Sequence, residues 1–457
     1  MSDGNFVNGQ SYEPLRRLLS DSKIQELQTQ IRVNNNIEDT NWDEETIKLK
    51  DLEHSSWQPK LLIAIDGDYS KSIIQNGYPG AEIGYITVST VVILLDKVRE
   101  LEKEQFIDPK KFRETEQPTS IDSLFVGCNV VLQGEDCAKS SMRKILYNEL
   151  KKFKVFGETE TLLDTYEFLL KERLDSGRAS KCPHDNCDAD YEFNVGEYRC
   201  NSCNGKLYST DALRLHELLN SSGTSGEMYG QIKETFKKLQ LIHLLRSFEQ
   251  QPKYFSLLRD IAFFIEGTLA VFSTASWLAK PIRTELERLN TKVNEEFGSN
   301  LMVLGIERTG SFVNHFTNID TMRDGSNHNF PNQSAYLLTN KYIKEHIVFN
   351  EKPDYIYLKD TSFGRKFFYK TNAGHRVVAS IATYNNYQSN LETAFPAQFP
   401  RLVEILQLLD KLVSNRYENS VTPLATAHAE AAIPLNLGKS IFEKIAREIK
   451  ANSNNND

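Results

Sequence analysis

Long apolar runs are missing from this 457-residue chain. The two longest, "ITVSTVVILL" and "IAFFIEGTLAVF", fall short of, or interrupt, the roughly 20 apolar residues that a membrane helix needs. The opening "MSDGNFVNGQ" lacks the charged-then-apolar order of a secretory leader, so a cytoplasmic protein without membrane contact is expected. Cysteine is scarce, and six in so long a chain exclude a disulfide scaffold. A net positive charge is also absent. With a formal charge of −8, no broad basic field advertises nucleic-acid binding, and any such contact must rest on a local groove or a partner. No internal repeat is present.

What remains is a composition, 40% hydrophobic and 25% charged, that suits one large globular domain or two to three smaller ones. Residues 1–57 are polar, and "SYEPLRRLLSDSKIQELQTQIRV" reads as an amphipathic helix in an arm that contacts a partner. "LLIAID", "IGYITVSTVVILLD" and "SIDSLFVGCNVVL" read as strands, followed by two helices at "KSSMRKILYNELKKFKV" and "TETLLDTYEFLLKERL". Helices are expected at "TDALRLHELL", "EMYGQIKETFKKLQLIHLLRSF" and "PIRTELERLNTKV", and strands at "DIAFFIEGTLAVF" and "NLMVLGIERTGSF". "DYIYLKDTSFGRKFFYKT" and "HRVVASIATYN" read as a hairpin. "FPRLVEILQLLDKLV", "PLATAHAEAAI" and "GKSIFEKIAREI" close the chain as helices before a disordered tail at 451–457. Strands alternating with helices argue an α/β fold.

Four of the six cysteines stand in "CPHDNC" and "CNSC". Cys182, Cys187, Cys200 and Cys203 form two close pairs, each able to take two corners of a tetrahedron, with a hairpin expected between them. Four thiolates close the shell around zinc, so this metal is read as structural, and its removal should unfold the insert at 179–207 alone. His184 is a spare ligand.

Two apolar strands end on acid-glycine: Asp66-Gly67 after "LLIAI" and Glu266-Gly267 after "IAFFI". Each alone is equally a plain turn. As a pair they offer the oxygen ligands that Mg²⁺ or Mn²⁺ prefers, at strand ends where α/β sites lie. His428 sits on a helix of small residues and reads either as a core histidine or as a site residue. His216 and His243 read as core. Arg365, Lys366 and Lys370 interleave with aromatics in "FGRKFFYKT", a pattern shared by DNA-contacting and ordinary amphipathic strands. Arg308 and Ser311 near a strand end are equally ambiguous.

"IDGDYS", "YSTDALRLHE", "LQLIHLLRSF", "IAFFIEGTLAVFSTASWLAKPI", "FGRKFFYKT" and "PLATAHAEAAI" occur in the order of NurA-type nucleases. The chain resembles the bacterial branch with a zinc-ribbon insertion, over roughly Leu61 to Ile445. The resemblance implies an RNase H-like core with a mixed sheet flanked by helices, split into 58–178 and 208–450 around the ribbon. It implies Mn²⁺- or Mg²⁺-dependent DNA cleavage by a homodimer docked on a HerA-type hexameric ATPase, in DNA end resection or defence against phage. Asp66, Glu266 and His428 match the family's functional positions. Arg308, Arg365, Lys366 and Lys370 are the candidate DNA contacts.

Two positions depart from the family's pattern. Glu266 replaces the usual aspartate, and Lys237-Lys238 stands where the long helix usually carries a glutamate. Glu234 or Glu227 is then the candidate to complete the metal shell. The rival reading is a weakened NurA-like adaptor that binds DNA and regulates the ATPase. An actin-type sugar kinase, which shares the core, would need glycine-rich phosphate loops that this chain lacks.

Overall fold

The computed structural model describes residues 21–30, 40–75, 80–101, 114–155, 160–177, 179–321, 329–384, 391–413 and 421–437, with a few between 444 and 450. Its main elements begin with helix α1 (Ser22–Gln30) and strands β1 (Ile47–Lys48), β2 (Leu61–Gln75), β3 (Ala81–Leu94) and β4 (Glu116–Val126). Helices α2 (Ala138–Lys152) and α3 (Leu162–Asp175) lead to the short strands β5 (Ala179–Lys181), β6 (Asp190–Glu192), β7 (Glu197–Arg199) and β8 (Lys206–Tyr208). Then come α4 (Gly226–Gln250), β9 (Ile261–Glu266), α5 (Ala279–Phe297), β10 (Met302–Glu307) and α6 (Ser311–Asp320). Strands β11 (Ser334–Leu337), β12 (Gly364–Lys370) and β13 (Arg376–Ala382) precede helices α7 (Leu402–Leu412) and α8 (Thr422–Leu437).

Among the described residues, nine strands form one mixed sheet in the order β1-β11-β12-β13-β10-β9-β2-β3-β4. β2, β3 and β4 are an antiparallel meander, while β9 and β10 run parallel to β2. This half of the sheet is the expected mixed core flanked by helices. Side chains alternate across a strand, so Ile63, Ile65, Phe263, Ile265 and Val303 pack with α2, α3, α4 and α5 on one face. Leu62, Ala64, Ala262, Phe264, Leu304 and Ile306 pack with α7 and α8 on the other. Both faces are covered, which is why "LLIAI" and "IAFFI" are continuously apolar rather than alternating.

Several expectations need correction. β2 does not end at Asp66; its antiparallel ladder with β3 continues to Gln75. Only its parallel pairing with β9 stops, at Ile65. The polar segment before residue 57 is not all arm. Trp42 is buried against Phe330, and Ile47–Lys48 pairs with β11 at the sheet edge. "TDALRLHELL" forms two 3₁₀ turns, broken by Arg214 in the left-handed region (φ 56°). β12 and β13 form the expected hairpin, but "DYIYLKD" before them is turns. "GKSIFEKIAREI" lies mostly outside the described residues, as do residues 1–20 and the tail.

His216 and His243 are core residues and His315 is half-buried, and burial pushes the pKa of each down to about 4. Each is neutral in the fold but takes a proton near pH 6.5 once unfolded. The unfolded chain therefore binds more protons between pH 6.5 and 4, and stability falls as pH falls through that window. The loss per buried histidine is on the order of 3 kcal/mol. Thermal unfolding should show a falling Tm from pH 6.5 toward 4.5, and a flat Tm would contradict these assignments.

Candidate active site and cysteine cluster

Parallel pairing brings the two acids level. β2 and β9 are in register up to Ile65–Ile265, and β9 and β10 up to Glu266–Ile306. Asp66 and Glu266 thus follow paired residues on neighbouring strands, with Glu307 and Arg308 just beyond on the third. The Asp66 side chain is fully buried. Its Oδ1 accepts a 2.6 Å hydrogen bond from the Gly67 N–H. Its Oδ2 lies 3.3 Å from Arg308 Nη2 and 3.0 Å from His428 Nδ1. Nδ1 is also 3.2 Å from Arg308 Nη2. One ring nitrogen serves one partner at a time, donating to the carboxylate or accepting from the guanidinium. Arg308 and His428 are the partly exposed groups above the buried acid, at 22% and 33%. Ser89, directly opposite Asp66 on β3, is buried with an unpartnered hydroxyl. No sequence pattern marked it.

Helix α4 supplies the other half of the site. Residues four apart on a helix share a face, and Lys233 and Lys237 lie over the two acid-glycine steps. A Cβ on Gly67 would meet Lys233 Cγ at 3.1 Å, and one on Gly267 would sit 4.0 Å from Lys237 Nζ. Gly267 also has φ +88°, which turns the chain after β9. Gly67 is ordinary strand, so its lack of a side chain makes room for the helix rather than for a turn.

Lys237 Nζ contacts Glu266 Oε2, donates to the Glu266 carbonyl at 3.0 Å and lies 2.8 Å from Glu234 Oε1. Burial alone would lower the Lys237 pKa, but the charges of Glu234, Glu266 and Asp66 outweigh it and hold the ammonium above its ordinary value. Lys238, next to it, has its pKa pushed down by burial to about 8 and donates to the Thr268 carbonyl. Glu234 is drawn down to about 2, against its burial, by Lys237, Lys238 and Lys233. Glu227 is exposed in the first turn of α4, about 15 Å of helix before Lys237, and takes no part.

The oxygen donors of Asp66, Glu266 and Glu234 fit a hard divalent cation by class. Among the described residues, however, only the four cysteines bring three or more possible ligand atoms within 4.8 Å of one another. The carboxylates do not close a three-ligand set while Lys237 stands among them.

The expected DNA-contacting strand is also engaged internally. β12 lies between β11 and β13, and Arg365, Lys366 and Lys370 are 3%, 7% and 1% exposed. Arg365 donates to the Thr393 carbonyl, Lys366 contacts Glu307 and Thr268, and Lys370 pairs with buried Asp320 at 2.7 Å. Covered on both faces, the strand presents no basic row to a phosphate backbone.

The cysteines sit in two hairpins, not around one. Cys182 and Cys187 lie in the β5–β6 turn, and Cys200 and Cys203 in the β7–β8 turn. The sulfurs of Cys182 and Cys203 are 3.8 Å apart, and those of Cys187 and Cys200 are 3.9 Å apart. A tetrahedron with metal–sulfur bonds of about 2.3 Å has edges of about 3.8 Å, so the four thiols fit zinc. His184 Nε2 is instead 2.8 Å from the Lys206 carbonyl. The ribbon is not a detached insert. Tyr191, Phe193, Leu207 and Tyr208 belong to the main core, and buried Arg143 ties the Lys206 carbonyl to Asp211.

Solved structures with some likeness include the NurA nuclease from Sulfolobus solfataricus, at 13% identity and a TM-score of 0.29, covering 95% of this chain and 98% of that one. A structure of NurA with manganese shares 12% identity at a TM-score of 0.24, over 93% and 95% of the two chains. Likeness this low carries no argument about the site. Comparison with curated proteins gives no match. The sequence model of the NurA domain matches residues 60–433, which include both acid-glycine strands, the lysine helix and His428, and the chain belongs to the NurA domain family.

Proposed function

We propose that this chain is a DNA nuclease that works as a homodimer with a HerA-type hexameric ATPase, in DNA end processing or defence against phage. The observation that carries the reading is the level pair Asp66 and Glu266 on parallel strands, with Arg308 and His428 over Asp66. Membership in the NurA domain family supports it. Arg308 would bind a phosphate oxygen through its guanidinium. His428, oriented by Asp66 at Nδ1, would hold or pass a proton at its other ring nitrogen. Asp66 and Glu266 are the residues that would hold Mn²⁺ or Mg²⁺; when bound, the metal supplies charge and an activated water for phosphodiester hydrolysis. Zinc at Cys182, Cys187, Cys200 and Cys203 would be structural. The acidic net charge suits a nuclease whose DNA is fed to it by a translocase ring.

A second reading is favoured by one observation, the Lys237 ammonium among the acids. In it the chain is a weakened nuclease fold that binds DNA and regulates the ATPase. Linear DNA incubated with the protein and Mn²⁺ or Mg²⁺, with and without the cognate ATPase, separates the two. Degradation dependent on metal is expected. Intact DNA in both conditions, together with stimulated ATP hydrolysis, would establish the second reading.

A further inference from the structure

We infer that Lys237 is a resident counter-cation of Glu266 and Glu234: its ammonium holds the position that a divalent cation on Glu266 must take, so metal binds there only when this side chain withdraws. The inference rests on the reading of Asp66 and Glu266 as the metal-holding residues. Lys237 has no exposed surface. Its three donors meet Glu234 Oε1, the Glu266 carbonyl and Glu266 Oε2, all oxygens of the kind a hard cation uses. The position is built into the fold. Gly67 leaves room for Lys233, on which a side chain there would press, and Gly267, at φ +88°, turns the chain beside the Lys237 ammonium.

Magnitude decides against sharing. Like charges at hydrogen-bond range in a site shielded from water repel strongly, and a dication beside the ammonium meets twice the repulsion of a single charge. Lys237 lies in the middle of the 25-residue helix α4. The side chain, through its four rotatable bonds, is therefore the part that moves.

Mn²⁺ titration of the zinc-loaded full-length protein, read by the electron paramagnetic resonance signal of free Mn²⁺, tests this without any cleavage assay. Lys237→Met should bind Mn²⁺ at least tenfold more tightly than the unsubstituted chain. Adding Glu266→Gln should abolish the gain. Lys237→Gln serves the same purpose if the methionine variant fails to fold by circular dichroism. In the unsubstituted chain, Mn²⁺ should raise acetylation of Lys237 by acetic anhydride, read by peptide mass spectrometry. Equal Mn²⁺ affinity with and without Lys237, or acetylation that does not rise, overturns the inference and leaves the metal reading standing. No Asp66-dependent Mn²⁺ binding in any variant overturns both.

Discussion

Asp66→Asn is expected to lower DNA cleavage by a factor on the order of 10²–10³ while leaving the protein folded. Asparagine keeps the shape of the side chain and an oxygen for the Gly67 N–H, which is why it is the preferred substitution. What it removes is the charge that orients His428 and faces Arg308. The neutral amide also offers a hard metal a poorer ligand than a carboxylate. Asp66→Ala should abolish cleavage as well. It additionally leaves Arg308 without its buried acceptor, so it carries a stability cost that the asparagine variant avoids. The measurement is metal-dependent loss of linear DNA, alongside circular dichroism and size-exclusion chromatography. Cleavage by Asp66→Asn at the unsubstituted rate would remove Asp66 from the site.

Zinc removal is the second large effect, and it should reach beyond the ribbon. Structural zinc contributes roughly 10–16 kcal/mol of binding free energy in small zinc-dependent domains. Here Tyr191, Phe193, Leu207 and Tyr208 carry the ribbon into the main core. Arg143 and Asp211, both nearly inaccessible, form a buried pair that the β7–β8 hairpin helps to cap through the Lys206 carbonyl. Chelation or Cys200→Ser should therefore lower the main thermal transition, by about 10 °C or more if even a part of that energy is lost. Zinc content by mass spectrometry and calorimetry on the same samples would check it. An unchanged main transition, with a separate small one for the ribbon, would show that 179–207 stands alone after all.

Much of the candidate site could be read along the chain because its signals are local. The spacing of Cys182, Cys187, Cys200 and Cys203 is a short-range property, and two tight turns bring each pair together whatever the rest of the fold does. Asp66 and Glu266 stood out because a stretch buried on both faces must be continuously apolar; Glu266 ends its strand, whereas at Asp66 only the pairing with β9 ends and β2 runs on. His428 stood out less, since a lone histidine on a helix has no local partner; Asp66, 362 residues away, supplies it.

Charge pairing was not legible, because its partners come from distant segments. Arg365, Lys366 and Lys370 have the pattern of a DNA-contacting strand, yet the sheet order places them between two strands, where each takes an internal acceptor. Lys237 reads along the chain as a missing glutamate. Only the crossing of α4 over Gly267 turns it into a cation seated between Glu234 and Glu266. The sequence by itself determined which acids, thiols and lysines this protein has and which of them lie in strands, turns and helices, because propensity and periodicity act over a few residues. The tertiary structure alone decided which charges neutralise one another, because Coulomb interactions depend on distances set by sheet register and helix packing.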